Sequence, residues 1–163
     1  MSAGNGDNLV LGGGAQDVMR GDAGDDVLAG GGGNDAMYGG RGDDIALGGA
    51  GNDTLIGDKG DTLTGGAGRD VFIADYLTAD QSGLVTITDY QPGNGTEPAE
   101  RVIITYAASI TPASGPVSFV QTGDNVEVRL ADGTTALLLT KVQAANLSAA
   151  AFTLEPDTLA QAS

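Results

Sequence analysis

The chain of 163 residues has no cysteine, no histidine and no tryptophan, and only 7 basic residues. Without cysteine there are no disulfides. Without cysteine or histidine the usual zinc sites and every nucleophile–histidine pair are excluded. The lack of cysteine does not choose a compartment, although it suits a protein exported unfolded. No apolar run approaches the roughly 18 residues that a membrane-spanning helix needs, so no membrane span is expected. The start, Met1 to Gly6, lacks the basic patch and apolar core of a usual signal peptide. With so few cations the net charge is −15. An acidic surface repels nucleic acid phosphates and anionic lipids, which leaves divalent cations as the natural partners.

What the chain has in abundance is glycine and aspartate, and both are concentrated in its front part. Of 28 glycines, 22 precede Val71, along with twelve aspartates set against Arg20, Arg41, Lys59 and Arg69. Such a segment has few large side chains to bury, and its glycines raise the entropy lost on ordering. Without a partner it is expected to stay disordered.

Between Gly12 and Ile73 a cassette Gly-Gly-x-Gly-x-Asp-x-apolar-x recurs seven times at a period close to nine. Clear copies run from Gly30 to Tyr38, from Gly48 to Ile56 and from Gly65 to Ile73, and a weaker eighth copy runs from Ala3 to Leu11. Each divides into a loop ending at the aspartate and a short strand with an apolar middle residue, which alternation sends to one face. The glycines permit positive φ and close backbone approach. One such motif is noise, but seven in phase are not.

This pattern resembles the RTX, or haemolysin-type, calcium-binding nonapeptide repeats. The resemblance implies an all-β fold: a parallel β-roll over residues 1–73, followed by an antiparallel β-sheet or sandwich region over 74–163. In such rolls two cassettes make one turn, so alternate loops stack on the same edge. One row then holds Asn8, Asp26, Asp44 and Asp61, and the other Asp17, Asp35, Asp53 and Asp70. The resemblance also implies calcium between stacked loops. The lower loop gives carbonyls from its second and fourth positions, the upper loop from its first and third, and both give their aspartates. One site would draw on Gly31, Gly33, Asp35, Gly48, Ala50 and Asp53. The same rule adds Gly13, Gly30 and Gly32 below it, and Gly49, Gly51, Gly65 and Ala67 above it. On the other edge it adds Gly24, Gly39, Gly40, Arg41, Gly42, Gly57 and Lys59. Four loops per edge allow at most about six ions. Departures weaken some sites: Asn8 replaces the acid of the first cassette, Ala15 replaces a glycine, and the seventh cassette, Gly57 to Thr64, is one residue short. Asp22 and Asp58 stand where a second glycine is usual.

The middle residues Val10, Met19, Leu28, Met37, Ala46, Leu55, Leu63 and Phe72 form the expected interior. The flanking residues point outward, and those of alternate cassettes differ. Leu9, Leu11, Val27, Ala29, Ile45 and Leu47 make one outer face apolar, whereas Val18, Arg20, Ala36, Tyr38, Thr54 and Ile56 make the other mixed. An apolar face calls for a cover. The C-terminal half, a second copy of the chain or the rest of a parent protein is expected to pack there.

After Ile73 the pattern turns to strands over Leu84–Tyr90, Arg101–Tyr106, Val117–Gln121, Asn125–Leu130 and Thr135–Thr140, with a hairpin turn at 131–134 and a long loop from Gln91 to Glu100. Asp70-Val71-Phe72 followed by Ile87-Thr88-Asp89-Tyr90-Gln91-Pro92-Gly93 looks like the element that follows RTX repeats in type I secretion targets. Asp89 reads as a strand-end turn residue, with a capping calcium site as the alternative. The tail from Ala144 is similar to the family's C-terminal export signals, or is a frayed end.

The resemblance, together with these observations, implies a secreted, non-enzymatic calcium-binding module that is expected to meet the type I secretion machinery and to fold on calcium binding outside the cell. An alternative is an accessory glycan-binding or adhesion module, for which the four tyrosines and 7 basic residues offer little. Catalysis would have to use Asp25 with Asp26 or Asp43 with Asp44, and adjacent residues at an extended loop end point apart.

Overall fold

Each nonapeptide supplies one strand, and the glycine-rich loop that follows carries the chain across to the opposite sheet. The computed structural model describes residues 1–76, 83–93, 100–106, 117–131 and 133–156. The repeat strands are β1 (Ser2–Asn5), β2 (Leu9–Gly13), β3 (Val18–Ala23), β4 (Val27–Gly32), β5 (Ala36–Arg41), β6 (Ile45–Ala50), β7 (Thr54–Gly57), β8 (Thr62–Ala67) and β9 (Val71–Tyr76). The remainder are β10 (Val85–Ile87), β11 (Arg101–Tyr106), β12 (Ser118–Thr122), β13 (Asn125–Arg129), β14 (Thr135–Leu139) and β15 (Phe152–Pro156). They form two sheets, ordered β1-β3-β5-β7-β9-β11-β15 and β12-β13-β14-β10-β8-β6-β4-β2.

Parallel, in-register pairing stacks like residues on like. Met19 lies beside Met37, Met37 beside Leu55 and Leu55 beside Phe72. On the facing sheet Val10, Leu28, Ala46 and Leu63 make the matching column. All eight are buried, and Met19, Leu28, Leu55 and Phe72 are 0% exposed. The interior of the roll is therefore one side chain deep from each sheet.

Both columns continue past the repeats. Phe72 is followed by Val102 and then Phe152, while Leu63 is followed by Ile87 and Leu139. The C-terminal half thus extends the two sheets edge to edge. Antiparallel pairing is confined to the meander β12-β13-β14, and β10, β11 and β15 join in parallel. The end of the interior is closed by Tyr90, Phe119 and Phe152, with ring centroids 5.1 to 5.7 Å apart, and by two short 3-10 turns at Ala144–Asn146 and Ala149–Ala151. The strand β15 falls within the segment expected to be an export tail or a frayed end, and residues 157–163 of that tail lie outside the described residues. So do residues 94–99 of the long loop.

The expectation that the C-terminal half covers the apolar outer face does not hold. Leu9 is 67% exposed, Leu11 64%, Ile45 41% and Leu47 38%. The physical reason lies in the last repeat strands. Their edges carry unpaired N–H and C=O groups, and their buried column ends in Leu63 and Phe72. Further strands added in line satisfy both.

Candidate metal centre

Stacking the loops brings the repeat aspartates into two ladders. The backbone N–H of each aspartate donates to Oδ1 of the aspartate one turn on. On one edge Asn8 donates to Asp26, Asp26 to Asp44 and Asp44 to Asp61, at 2.7 to 2.8 Å. On the other edge Asp17 donates to Asp35, Asp35 to Asp53 and Asp53 to Asp70, at 2.7 to 2.8 Å. These bonds hold each carboxyl group in a fixed orientation, and they spend only one of its oxygens.

The second oxygen carries the chemistry. Oδ2 of Asp26, Asp35, Asp44, Asp53 and Asp70 is buried without any hydrogen-bond partner, in residues no more than 2% exposed. A buried carboxylate oxygen left unpaired costs several kcal/mol unless a cation or a proton meets it. Burial pushes Asp44 up to about 6 and Asp61 up to about 7, and it also raises Asp53 and Asp70 above the ordinary carboxylate range. Each orphaned oxygen sits under the first glycine of its own loop. A Cβ on Gly48 would strike the Asp53 carboxyl group, and one on Gly30 the Asp35 carboxyl group. Only glycine leaves that cradle open.

Around the orphaned oxygens the remaining donors are backbone carbonyls. Gly31 stacks on Gly13 and beneath Gly49, which in turn lies beneath Gly66. A Cβ on Gly21, Gly30 or Gly48 would meet the carbonyl oxygen of Gly39, Gly48 or Gly65 respectively as well as the orphaned carboxyl oxygen, so a carbonyl lies beside each of these cradles. Among the described residues no three acidic side chains converge on one point. The donor set is one anionic oxygen per loop plus carbonyls, all hard oxygens, and this suits calcium, which takes 6 to 8 such ligands in irregular geometry. The residues present fit the ion.

The shortened cassette departs from this arrangement. Oδ2 of Asp61 accepts from the Asp58 N–H at 2.8 Å, so both its oxygens are engaged. Asp58 is itself 8% exposed and is raised to about 6 by burial and by its neighbours Asp44, Asp75 and Asp43. At the front end Asn8 brings no charge, and its side-chain amide donates to the Gly6 carbonyl. Asp22 adopts φ 77° and accepts from the Ser2 hydroxyl.

Glu100 is the residue that sequence reasoning missed. Pairing of Arg101 with Val71 places Glu100 next to Asp70 at the end of its row. It is 2% exposed, Oε2 accepts from Gln91 N–H at 2.7 Å, and Oε1 has no donor, while the Asp70 carboxyl group lies within hydrogen-bonding reach of Glu100, so a shared proton or a cation would satisfy both. Burial, followed by the charges of Asp70 and Asp89, lifts it to about 8. The signal available was an acid directly before a β-type run, obscured by the insertion that breaks the nine-residue phase. Asp89 accepts from Gly65 N–H and Gly66 N–H at 2.9 and 2.7 Å, tying the last repeat loop to the C-terminal half. Asp25 and Asp43 lie exposed outside the roll while Asp26 and Asp44 lie buried within it, an arrangement unsuited to a catalytic pair.

Comparison with known proteins places these features. Residues 2–37, 29–61 and 47–75 match the RTX calcium-binding nonapeptide repeat. The AlgE6R3 subunit of the Azotobacter vinelandii mannuronan C5-epimerase, a solution structure, is similar over 91% of this chain and 78% of its own, at 22% identity and a TM-score of 0.51. The extracellular lipase LipA of Serratia marcescens aligns over 92% of this chain and 38% of its own, at 16% identity and a TM-score of 0.38. No curated protein matches the chain. The likeness to the epimerase subunit establishes the fold.

Proposed function

We propose that this chain, whose residues 2–75 match the RTX calcium-binding nonapeptide repeat, is a non-catalytic module of a secreted protein that folds when calcium reaches it after type I export. The observation that carries the reading is the set of five buried Oδ2 atoms with no partner. Asp26, Asp35, Asp44, Asp53 and Asp70 hold calcium together with the carbonyls of the adjoining loops, at most about six ions in all. Glu100 extends the row that ends at Asp70. Bound calcium supplies positive charge and a set of oxygen contacts that fix one loop on the next.

Without the ion, net charge of −15 and buried carboxyl groups oppose closure. Extracellular calcium modules bind at about 0.1 to 1 mM, so the chain stays loose where calcium is scarce and closes outside. In this reading residues 1–73 are the calcium-dependent roll and 74–163 its C-terminal cap. The exposed Leu9, Leu11, Ile45 and Leu47 offer a contact to the rest of a parent protein or to a second copy. Circular dichroism tests the reading: the spectrum in EDTA should lack much of the β signal that calcium restores, and identical spectra would refute it.

A second reading, an accessory module that binds an acidic glycan, draws on one feature. The Arg20 guanidinium lies 5.5 Å from the Tyr38 ring centroid beside a shallow hollow lined by Val18, Ala36 and Ile56. Loss of acidic-polysaccharide binding in Arg20→Ala would favour it.

A further inference from the structure

The residue immediately before each repeat aspartate differs between the two edges. On the edge of Asn8, Asp26, Asp44 and Asp61 it is Asp7, Asp25, Asp43 and Gly60, whereas on the edge of Asp17, Asp35, Asp53 and Asp70 it is Gln16, Asn34, Asn52 and Arg69. These residues make a second ladder outside the first, running in the opposite sense. Asp25 N–H donates to Asp7 Oδ1 and Asp43 N–H to Asp25 Oδ1, both at 3.0 Å. Across the roll, Asn52 N–H donates to Asn34 Oδ1 and Arg69 N–H to Asn52 Oδ1, both at 2.8 Å.

Aspartate and asparagine thus make the same bond in the same place, so the ladder does not require the charge. What the charge changes is the potential beside one row of sites. The loops of the first edge carry a net −6 even after Arg41 and Lys59 are counted, and those of the second edge a net −3. Asp7, Asp25 and Asp43 are exposed and stacked one strand spacing apart, about 4.8 Å. They adjoin in sequence Asn8, Asp26 and Asp44 of the inner ladder, and the Oδ2 atoms of Asp26 and Asp44 are orphaned there. Affinity for calcium in carboxylate sites follows ligand charge and local potential, and a potential set by exposed groups is screened by salt.

We propose that the residue preceding each repeat aspartate sorts the fully carboxylate-lined calcium sites into two classes: the site between Asp26 and Asp44, flanked by Asp25 and Asp43, binds more tightly and loses more affinity with added salt than the site between Asp35 and Asp53, flanked by Asn34 and Asn52. This inference rests on the calcium-dependent folding reading above. Calcium titrations by calorimetry on the whole chain test it, using D25N/D43N and N34D/N52D at low ionic strength and near 1 M salt, where the Debye length is about 3 Å. Removing the two charges should weaken the tighter class roughly three- to tenfold per charge at low salt and leave little difference at high salt. N34D/N52D should tighten the weaker class and narrow the gap. If wild type binds calcium and both variants titrate like it at low salt, the inference is overturned and the folding reading stands. A wild type that binds no calcium overturns both. Failure of D25N/D43N to regain wild-type circular dichroism with calcium would contradict the interchange of Asp and Asn on which the inference depends.

Discussion

The repeat roll and the C-terminal half share the same two sheets, yet they are held together by different forces. In the roll β2 to β8 each contribute one buried apolar side chain, and the space at their edges is occupied by aspartates. Beyond Val85 the interior thickens with Ile87, Val102, Ile104, Val126, Val128, Leu137 and Leu139, sealed by the Tyr90, Phe119 and Phe152 rings. One region leaves buried carboxyl oxygens for a cation or a proton to meet, and the other rests on apolar burial at about 25 cal/mol per Å². A continuous architecture therefore does not imply a uniform source of stability.

Calcium removal should break the comparison open most widely. In EDTA the loss of β signal should come from residues 1–75, measured by limited proteolysis with mass mapping, while fragments spanning 100–142 survive longer. Next in size, Leu137→Ala should cost about 2 to 5 kcal/mol by denaturant melts in calcium, as expected for a fully buried core side chain. Asp53→Ala acts on the other region. Its carboxyl group accepts from Asp35 N–H, and its own N–H donates to Asp70. Loss should weaken calcium binding at two adjoining positions by roughly tenfold each, a scale set by removing one charged ligand, with little change in melts of the C-terminal half.

The pH response sharpens the contrast further. Asp44, Asp58 and Asp61 stand at about 6, 6 and 7 in the fold, above the ordinary carboxylate range. The folded chain therefore binds protons more strongly than the unfolded one. Stability from these groups is complete below the ordinary range and is lost as pH rises through about 6 to 7. Calcium-free protein should show more β signal at pH 5 than at pH 8, while calcium affinity falls on acidification because protons compete for the same oxygens. The smallest effect is expected at Asp22, which takes φ 77° where its neighbours Gly4 and Gly40 take 101° and 121°. Asp22→Gly should stabilise the calcium-loaded roll by about 1 kcal/mol, read from thermal melts.

The roll was legible in the sequence because counting by nine assigns phase, and phase assigns face. That reasoning identified Met19, Leu55 and Phe72 as interior. It did not foresee the second ladder, although an Asx residue before the repeat aspartate recurs at Asp25, Asn34, Asp43 and Asn52. Its role emerges only once loops a turn apart are stacked. The C-terminal half was less legible. Alternation marked most of its strands, including Arg101 to Tyr106, but pairing partners depend on long-range register, which short apolar runs do not encode. Hence the parallel continuation through Val102 and Ile87 and the final strand at Phe152 were missed. So was Glu100 beside Asp70, because the insertion ahead of it destroys the count. The C-terminal half was one expected cover for the apolar face of Leu9 and Leu11 and does not lie there, since an exposed stripe signals a partner without naming one.

The central claim is that calcium on the buried, otherwise unpartnered aspartate oxygens holds the roll closed. Amide hydrogen exchange tests it most directly, at the N–H groups of Asp26, Asp35, Asp44 and Asp53, each of which donates to the aspartate of the next turn. The account predicts strong protection with calcium and near-complete loss in EDTA, while Ile104 and Leu137 keep more of theirs. Equal protection of the four aspartate amides in both conditions would contradict it.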